Sequence, residues 1–471
     1  MTDLVSRETH TLSETPSAPA VAGADPKRGA RAVTATRTVE KTSEAASETT
    51  SETASETMTE TTDTVALTGG TGDTCVGGAV ADAAAPSAAG NLPRRAHRVL
   101  IAALGFARHN VVLLVALAAA LVTAFLIPPN QTYLSYIDFS TLSCLFSTLA
   151  VVAALRHIRF FTVLAERIVA LTGSLRACML ALTYITFIGS MLIANDMALL
   201  TFLPLSCYVL TSTGEERHMA FAFILQNAAA NLGGMLTPFG NPQNLYLYGY
   251  FRIPTGAFTL TMLPPFLVAM AIITVLCFVF FPREPIRVRE RPSAPLPRVR
   301  TGVYLGAFLL VILSVFRLLP YYAALAAVVL VLLIADRRAF LDVDYPLLLT
   351  FVCFFIFSGN MVRIPAVGQF FSSLLSRNAL LVSTLSCQVI SNVPTAILLA
   401  GFATDWRPLL LGVNIGGVGT LISSMASLIT LRTYLHANPG GAGRYLIRFT
   451  WVNALFLAVL FGVCTLQLQL L

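Results

Sequence analysis

Between residues 111 and 468 the chain is a succession of apolar stretches joined by short loops, many of them long enough to span a bilayer. A helix that crosses hydrocarbon needs ~20 mostly apolar residues, and every backbone N–H and C=O must be paired inside the protein. Stretches of this kind cover 111–128, 137–155, 177–194, 197–210, 218–248, 257–281, 302–319, 321–335, 345–359, 378–404, 408–430 and 449–468. Some of them are interrupted, so the pattern predicts an all-α polytopic membrane protein with about 11 spans. Composition agrees: only 12% of residues are charged, against ~25% in a soluble domain.

Residues 1–97 differ. They are rich in Ser, Thr, Ala and Glu and contain a degenerate repeat from Ser47-Glu48-Thr49 to Thr59-Glu60-Thr61. No apolar periodicity is present to bury a core, which predicts a disordered tail without a signal-peptide core. That tail takes 13 of the 24 acidic residues and 8 of the 31 basic ones, and the 23 basic residues that follow are all Arg.

A basic balance often signals nucleic acid, but these arginines sit in short loops between apolar runs, where they set topology and meet anionic lipid. Membrane lipid is therefore the expected partner, and nucleic acid is not. The clusters are Arg94, Arg95, Arg98 and Arg108; Arg156, Arg159, Arg167 and Arg176; Arg283, Arg287, Arg289, Arg291, Arg298 and Arg300; Arg337 and Arg338; and Arg432, Arg444 and Arg448. All fall in the cytoplasm of a plasma-membrane protein whose amino terminus is inside and whose carboxyl terminus is outside. The eight cysteines are scattered without metal-ligand or paired spacing and read as small packing residues.

Two apolar runs are broken by polar residues, at Asn195-Asp196 and at Ser391-Asn392-Val393-Pro394. Each predicts a helical hairpin that enters and leaves on one side. Segments 158–174 and 362–376 are amphipathic and predict interfacial helices. The breaks are accompanied by a repeat: Asn231-Leu232-Gly233-Gly234-Met235-Leu236-Thr237 matches Asn414-Ile415-Gly416-Gly417-Val418-Gly419-Thr420 in an Asn-x-Gly-Gly-x-x-Thr pattern. The match continues without gaps from Gly240-Asn241-Pro242-Gln243-Asn244 to Ser423-Ser424-Met425-Ala426-Ser427. The expected organisation is a tail over 1–97, a first inverted half over 98–281, a basic linker over 282–300 and a second half over 301–471. Each half carries a re-entrant hairpin and an unwound helix.

Physical chemistry says why such residues recur. Gly and Pro permit a break, and here the structural breaks are Gly233, Gly234, Thr237, Pro238, Pro242, Pro394, Asn414, Gly416, Gly417 and Thr420. Asn, Ser and Thr satisfy the freed backbone or bind a solute. Helix N-termini suit anions, and carbonyls suit Na⁺.

The segments Thr237-Pro238-Phe239-Gly240-Asn241-Pro242-Gln243-Asn244 and Ser391-Asn392-Val393-Pro394 resemble the ion transporter superfamily, most of all its citrate-transporter-like permeases and divalent anion/sodium symporters. The resemblance covers about 98–471. It implies a scaffold and a moving transport domain, in a homodimer. It further implies that Asn195, Ser391, Asn392, Thr395, Asn241 and Ser424 contact a small anionic substrate. By the same resemblance Asp196, Asn195, Gly240, Asn244, Asn392, Ser423 and Ser427 serve a coupling cation, Na⁺ or H⁺, with no other cofactor. This sequence departs from the family pattern: the first tip is Ala194-Asn195-Asp196 where the family has Ser-Asn-Thr, and the second unwound loop lacks Pro-Asn. Asn-Asp at the first tip is also similar to the arsenite and sodium/proton antiporter branches.

Asp196 carries the most weight, because it sits deep within an apolar run where an ionisable group is costly and usually functional. It would coordinate Na⁺, carry a coupling proton, or alternate between them; the plainer role is to cap the helix beginning at Met197. A fixed negative charge beside an anion site repels substrate unless a cation neutralises it. Arg317 is expected to snorkel. His157, His218 and His436 fall in loops, and Asp342 and Asp344 at a wet interface. No Ser/His, Cys/His or HExxH constellation supports an enzyme. The reading is a secondary active transporter of di- or tricarboxylates, with a Na⁺/H⁺ antiporter or arsenite efflux permease as the alternative.

Overall fold

The computed structural model describes residues 110–286 and 295–470. The tail 1–97, its arginines, Arg98, Arg108 and the central part of the linker with Arg287, Arg289 and Arg291 lie outside the described residues. All the described elements are helices: α1 (Val111–Leu126), α2 (Phe139–His157), α3 (Phe160–Ala170), α4 (Leu175–Ile193), α5 (Asn195–Ser212), α6 (Met219–Gly233), α7 (Pro242–Tyr250), α8 (Thr255–Phe280), α9 (Arg298–Val315), α10 (Tyr321–Ala335), α11 (Tyr345–Val362), α12 (Pro365–Ile390), α13 (Asn392–Ala400), α14 (Trp406–Ile415), α15 (Met425–Ala437) and α16 (Ala442–Leu470). Among the described residues seven helical stretches are long and apolar enough to cross a membrane, and α1 and α10 are shorter apolar helices.

The distribution of side chains is that of a membrane protein. Large apolar groups face outward, as at Phe125 (87% exposed) and Trp451 (75% exposed), while Asn and Gln collect inside. Hydrocarbon cannot pair with an amide, so the amides turn inward and satisfy one another. Helix α6 is the extreme case: every one of its residues is buried, including Gln226, Asn227 and Asn231.

Packing sorts the helices into two groups. In one, α1 packs on α11 and α2 on α9 and α10. In the other, α6 is surrounded by α4, α5, α8, α15 and α16, and α14 by α7, α12, α13 and α16. The groups meet where α2 touches α7 and α11 touches α13. Ser358 helps at the second meeting, donating to the Ile397 carbonyl at 2.9 Å.

Several elements differ from the apolar runs that foretold them. The run 218–248 is two helices, because α6 stops at Gly233, a 3₁₀ turn covers Gly234–Leu236, and α7 starts at Pro242. The run 408–430 likewise stops at Ile415 and resumes at Met425. Segment 362–376 corresponds to the first limb of α12, a helix from Pro365 that is interrupted at Asn378 (φ −161°, ψ 87°) before the hairpin limb begins. The Asn378 carboxamide accepts from the Leu381 N–H at 2.9 Å and restarts the helix as an N-cap does. Segment 158–174 is α3, whose Glu166 pairs with Arg159 at 3.1 Å. Arg317 is held by the protein itself. It donates to the Tyr248 carbonyl at 2.6 Å, which also accepts from the Ile253 N–H at 3.2 Å, and stacks on the Tyr248 ring. His157 lies at the end of α2, between Asp336 and Asp342.

Candidate functional site

Helices α4 and α5 are separated by one residue, Ala194, and α12 and α13 by one residue, Ser391. The two limbs of each pair pack against each other. Both break residues adopt nearly the same backbone: φ 65°, ψ 154° at Ala194 and φ 74°, ψ 160° at Ser391. That region is essentially reserved for glycine, and a side chain there costs about 1–3 kcal/mol. The following asparagine folds back in the same way at each tip. Asn195 Oδ1 accepts from the Asp196 N–H at 3.0 Å, and Asn392 Oδ1 from the Val393 N–H at 2.9 Å.

The repeated Asn-x-Gly-Gly-x-x-Thr pattern has a structural meaning at each position. Its threonine, Thr237 or Thr420, donates its hydroxyl to the carbonyl three residues before the tip, Met191 or Gln388, in both cases at 3.0 Å. Those carbonyls end a helix and have no acceptor role left inside it. The first glycine lets the broken helix close on the hairpin: a Cβ at Gly233 would collide with the Phe187 carbonyl, and one at Gly416 would press on Cys387 at 2.8 Å. The asparagines connect the parts. Asn231 Oδ1 accepts from the Asn195 carboxamide at 3.2 Å, and Asn414 donates to Asn244 Oδ1 at 2.6 Å.

The tips and the restarts of the broken helices meet at one cavity of about 40 Å³. It is lined by Asn195 and Asp196 at the start of α5, Pro242 and Gln243 at the start of α7, Asn392 to Pro394 with Ser391 at the start of α13, and Ser424 with Met425 at the start of α15. The N-terminal ends of four helices therefore line one space, each bringing the positive end of its helix dipole. Against them stands a single carboxylate. Asp196 makes no side-chain hydrogen bond among the described residues, and its Oδ1 is buried without a partner, so it does not act as a helix cap. Gln243 Oε1 and Asn241 Oδ1 are also buried acceptors without donors.

Other sequence candidates occupy the surrounding layer. Thr395 is buried with its hydroxyl on the Ser391 carbonyl at 2.7 Å. Asn241 lies over the Asn231 carbonyl at 3.4 Å. Gly240 closes a turn on the Thr237 carbonyl, and Pro238 stands inside that turn. Ser423 offers its carbonyl to Asn392 N–H at 3.0 Å and Ser391 Oγ at 3.2 Å. Ser427 pairs with Asn227 at 3.3 Å, and Asn244 and Asn414 brace the breaks. Gly234 and Gly417 leave room for the Asn241 and Asn392 carboxamides. Sequence reasoning missed Gln388, Gln243 and the bond from Asn227 to Ser427. Of these, Gln243 was legible as a polar residue beside a break.

Paired broken helices around one polar cavity, in a bundle with an apolar exterior, define a multi-pass membrane protein built to carry a solute. The chain belongs to the citrate transporter family, whose profile matches residues 99–413. It is 31% identical to the uncharacterized transporter MJ0456 of Methanocaldococcus jannaschii over 66% of this chain and 85% of that protein. It is 27% identical to the inner membrane protein YbiR of Escherichia coli over 66% of this chain and 84% of that protein. A shorter likeness, 32% over 33% of this chain and 32% of that protein, connects it with the silicon efflux transporter LSI3 of Oryza sativa. Family membership makes the chain a membrane transporter rather than an enzyme.

Proposed function

We propose that this chain is a cation-coupled secondary transporter of small organic anions, di- or tricarboxylates first, working by alternating access between two inverted halves. The carrying observation is the convergence of four helix N-termini on one cavity. The positive ends of the helix dipoles attract carboxylate oxygens without any cationic side chain. Asp196 in the same lining opposes a bare anion, so the anion enters together with Na⁺ or H⁺. The buried, unpartnered oxygens of Asp196, Asn241 and Gln243 suit a hard cation or a proton. A cavity of about 40 Å³ is ion-sized and closed to a tricarboxylate, so transport requires the tip-bearing helices to move relative to α1 and α11. A homodimer in the plasma membrane with a cytoplasmic amino terminus completes the proposal.

The test is uptake of labelled citrate and succinate into proteoliposomes under an inward Na⁺ gradient and, separately, an inward H⁺ gradient. Accumulation that collapses with one gradient is the expected result, and loss of it in Asn392→Ala assigns it to the tips. A second reading, Na⁺/H⁺ antiport or efflux of a small oxyacid such as arsenite, is favoured by the unpaired Asp196 and by the partial likeness to a silicon efflux transporter. No carboxylate accumulation in folded protein, together with pH-linked cation or oxyacid flux abolished by Asp196→Asn, would establish that reading and displace the first.

A further inference from the structure

A second cavity of about 130 Å³ adjoins the first. The two share Val112, Leu347, Thr350 and Met425 in their walls, so these four residues stand between them as the neck of a candidate passage. The inner end holds Asp196 and the two tips. The outer end holds Asn110 at the start of α1, Asp344 before α11 and Arg432 on α15. Exposure follows the same direction: Arg432 is exposed, Asp344 half-buried and Thr350 buried.

Arg432 is the only cationic side chain among the residues lining either cavity. It makes no hydrogen bond or ion pair among the described residues. Asp344, by contrast, is engaged: it accepts from the Leu347 N–H at 2.9 Å and caps α11. A guanidinium without a partner, held over the mouth of a passage whose far end is lined by helix N-termini, raises the local concentration of anions at that mouth. Low-dielectric walls focus its field along the passage, while the engaged carboxylate opposite limits the net charge.

We propose that the outer cavity is an access vestibule of the tip site and that Arg432 is its specificity-determining residue, capturing the anionic group of the solute before it passes the Thr350 neck. The capture of an organic anion rests on the proposed function above. The passage and its charge selectivity do not.

The experiment therefore reads selectivity without transport. Thr350→Cys is introduced into the full chain in proteoliposomes or detergent, and its modification rate is measured with an anionic and a cationic methanethiosulfonate of similar size. The unsubstituted chain serves as blank; its described free cysteines are buried. The anionic reagent is expected to react faster, and Arg432→Gln to shift the ratio of rates toward the cation by roughly tenfold. Arg432→Lys should restore most of the preference, and Asp344→Asn should increase it.

Equal ratios with and without Arg432 would overturn the selectivity role. If Thr350→Cys does not fold, Leu428→Cys on the outer wall replaces it. Absence of labelling at either position in folded protein would overturn the passage itself. Charge-selective labelling without carboxylate uptake under any gradient would leave the vestibule standing and remove the organic-anion reading.

Discussion

The two helix breaks meet the same physical demand with different residues. In the first, the Asn244 carboxamide lies within 3.4 Å of the Gly234, Met235 and Thr237 carbonyls, and it comes from the returning helix α7. In the second, the Gln388 carboxamide lies within 3.4 Å of the Thr384, Gly416 and Val418 carbonyls, and it comes from the hairpin limb α12. Gln388 also accepts from the Thr420 N–H at 2.9 Å. The surroundings differ as well. The first break is buried almost throughout, whereas Thr420 and Ile422 of the second are exposed. The second break, which lacks Pro-Asn, is thus still braced, because the amide is supplied from across the hairpin.

This contrast predicts unequal sensitivity. Asn244→Ala should be the most damaging change. The Gly234 and Met235 carbonyls lose the Asn244 amide, at about 1–3 kcal/mol for each buried group left unpaired, and the Asn414 carboxamide keeps only the Leu410 carbonyl. Thermal stability in detergent should fall steeply and uptake should vanish. Gln388→Ala should fall less, since the second break is less deeply buried and its carbonyls are less costly to leave unpaired. Equal losses would show that exposure does not govern the difference.

A second contrast concerns charge. Asp196 follows the asparagine at the first tip where Val393 does so at the second, so Asp196→Asn should abolish dependence of uptake on the cation gradient while leaving the melting temperature nearly unchanged. The carboxylate has no hydrogen bond to lose. A large drop in melting temperature would mean that the group is structural.

The smallest effects should come from the strained residues. Ala194→Gly should stabilise by about 1 kcal/mol, read as a higher melting temperature, because glycine accepts the positive φ freely. Ser391→Gly should gain less, since it also gives up the hydroxyl bond to the Ser423 carbonyl at 3.2 Å. The reverse order would place the strain at the second tip.

The hairpin tips were legible because a polar residue inside an apolar run has few places to go in hydrocarbon. The unwound segments were legible because Gly and Pro recur at fixed spacing after each tip. Their bracing was not. Gln388 stands three residues before the second tip in an ordinary helical stretch, and nothing local marks it as the partner of Gly416 and Val418, which lie 28 and 30 residues away. Asn227 bonds Ser427, 200 residues away, a pairing that no local pattern names. Arg317 looked like a span-end arginine until the Tyr248 carbonyl was found beside it.

Sequence alone determined that the chain crosses a membrane, where its helices must break and which of its carboxylates is buried by necessity, because these follow from the cost of placing polar groups in hydrocarbon. Only the tertiary structure decided that four helix N-termini share one cavity, that Asp196 caps nothing, and that a passage lined by Arg432 leads to it. Those facts depend on how distant segments approach one another, and a one-dimensional pattern of apolar and polar residues carries no distances.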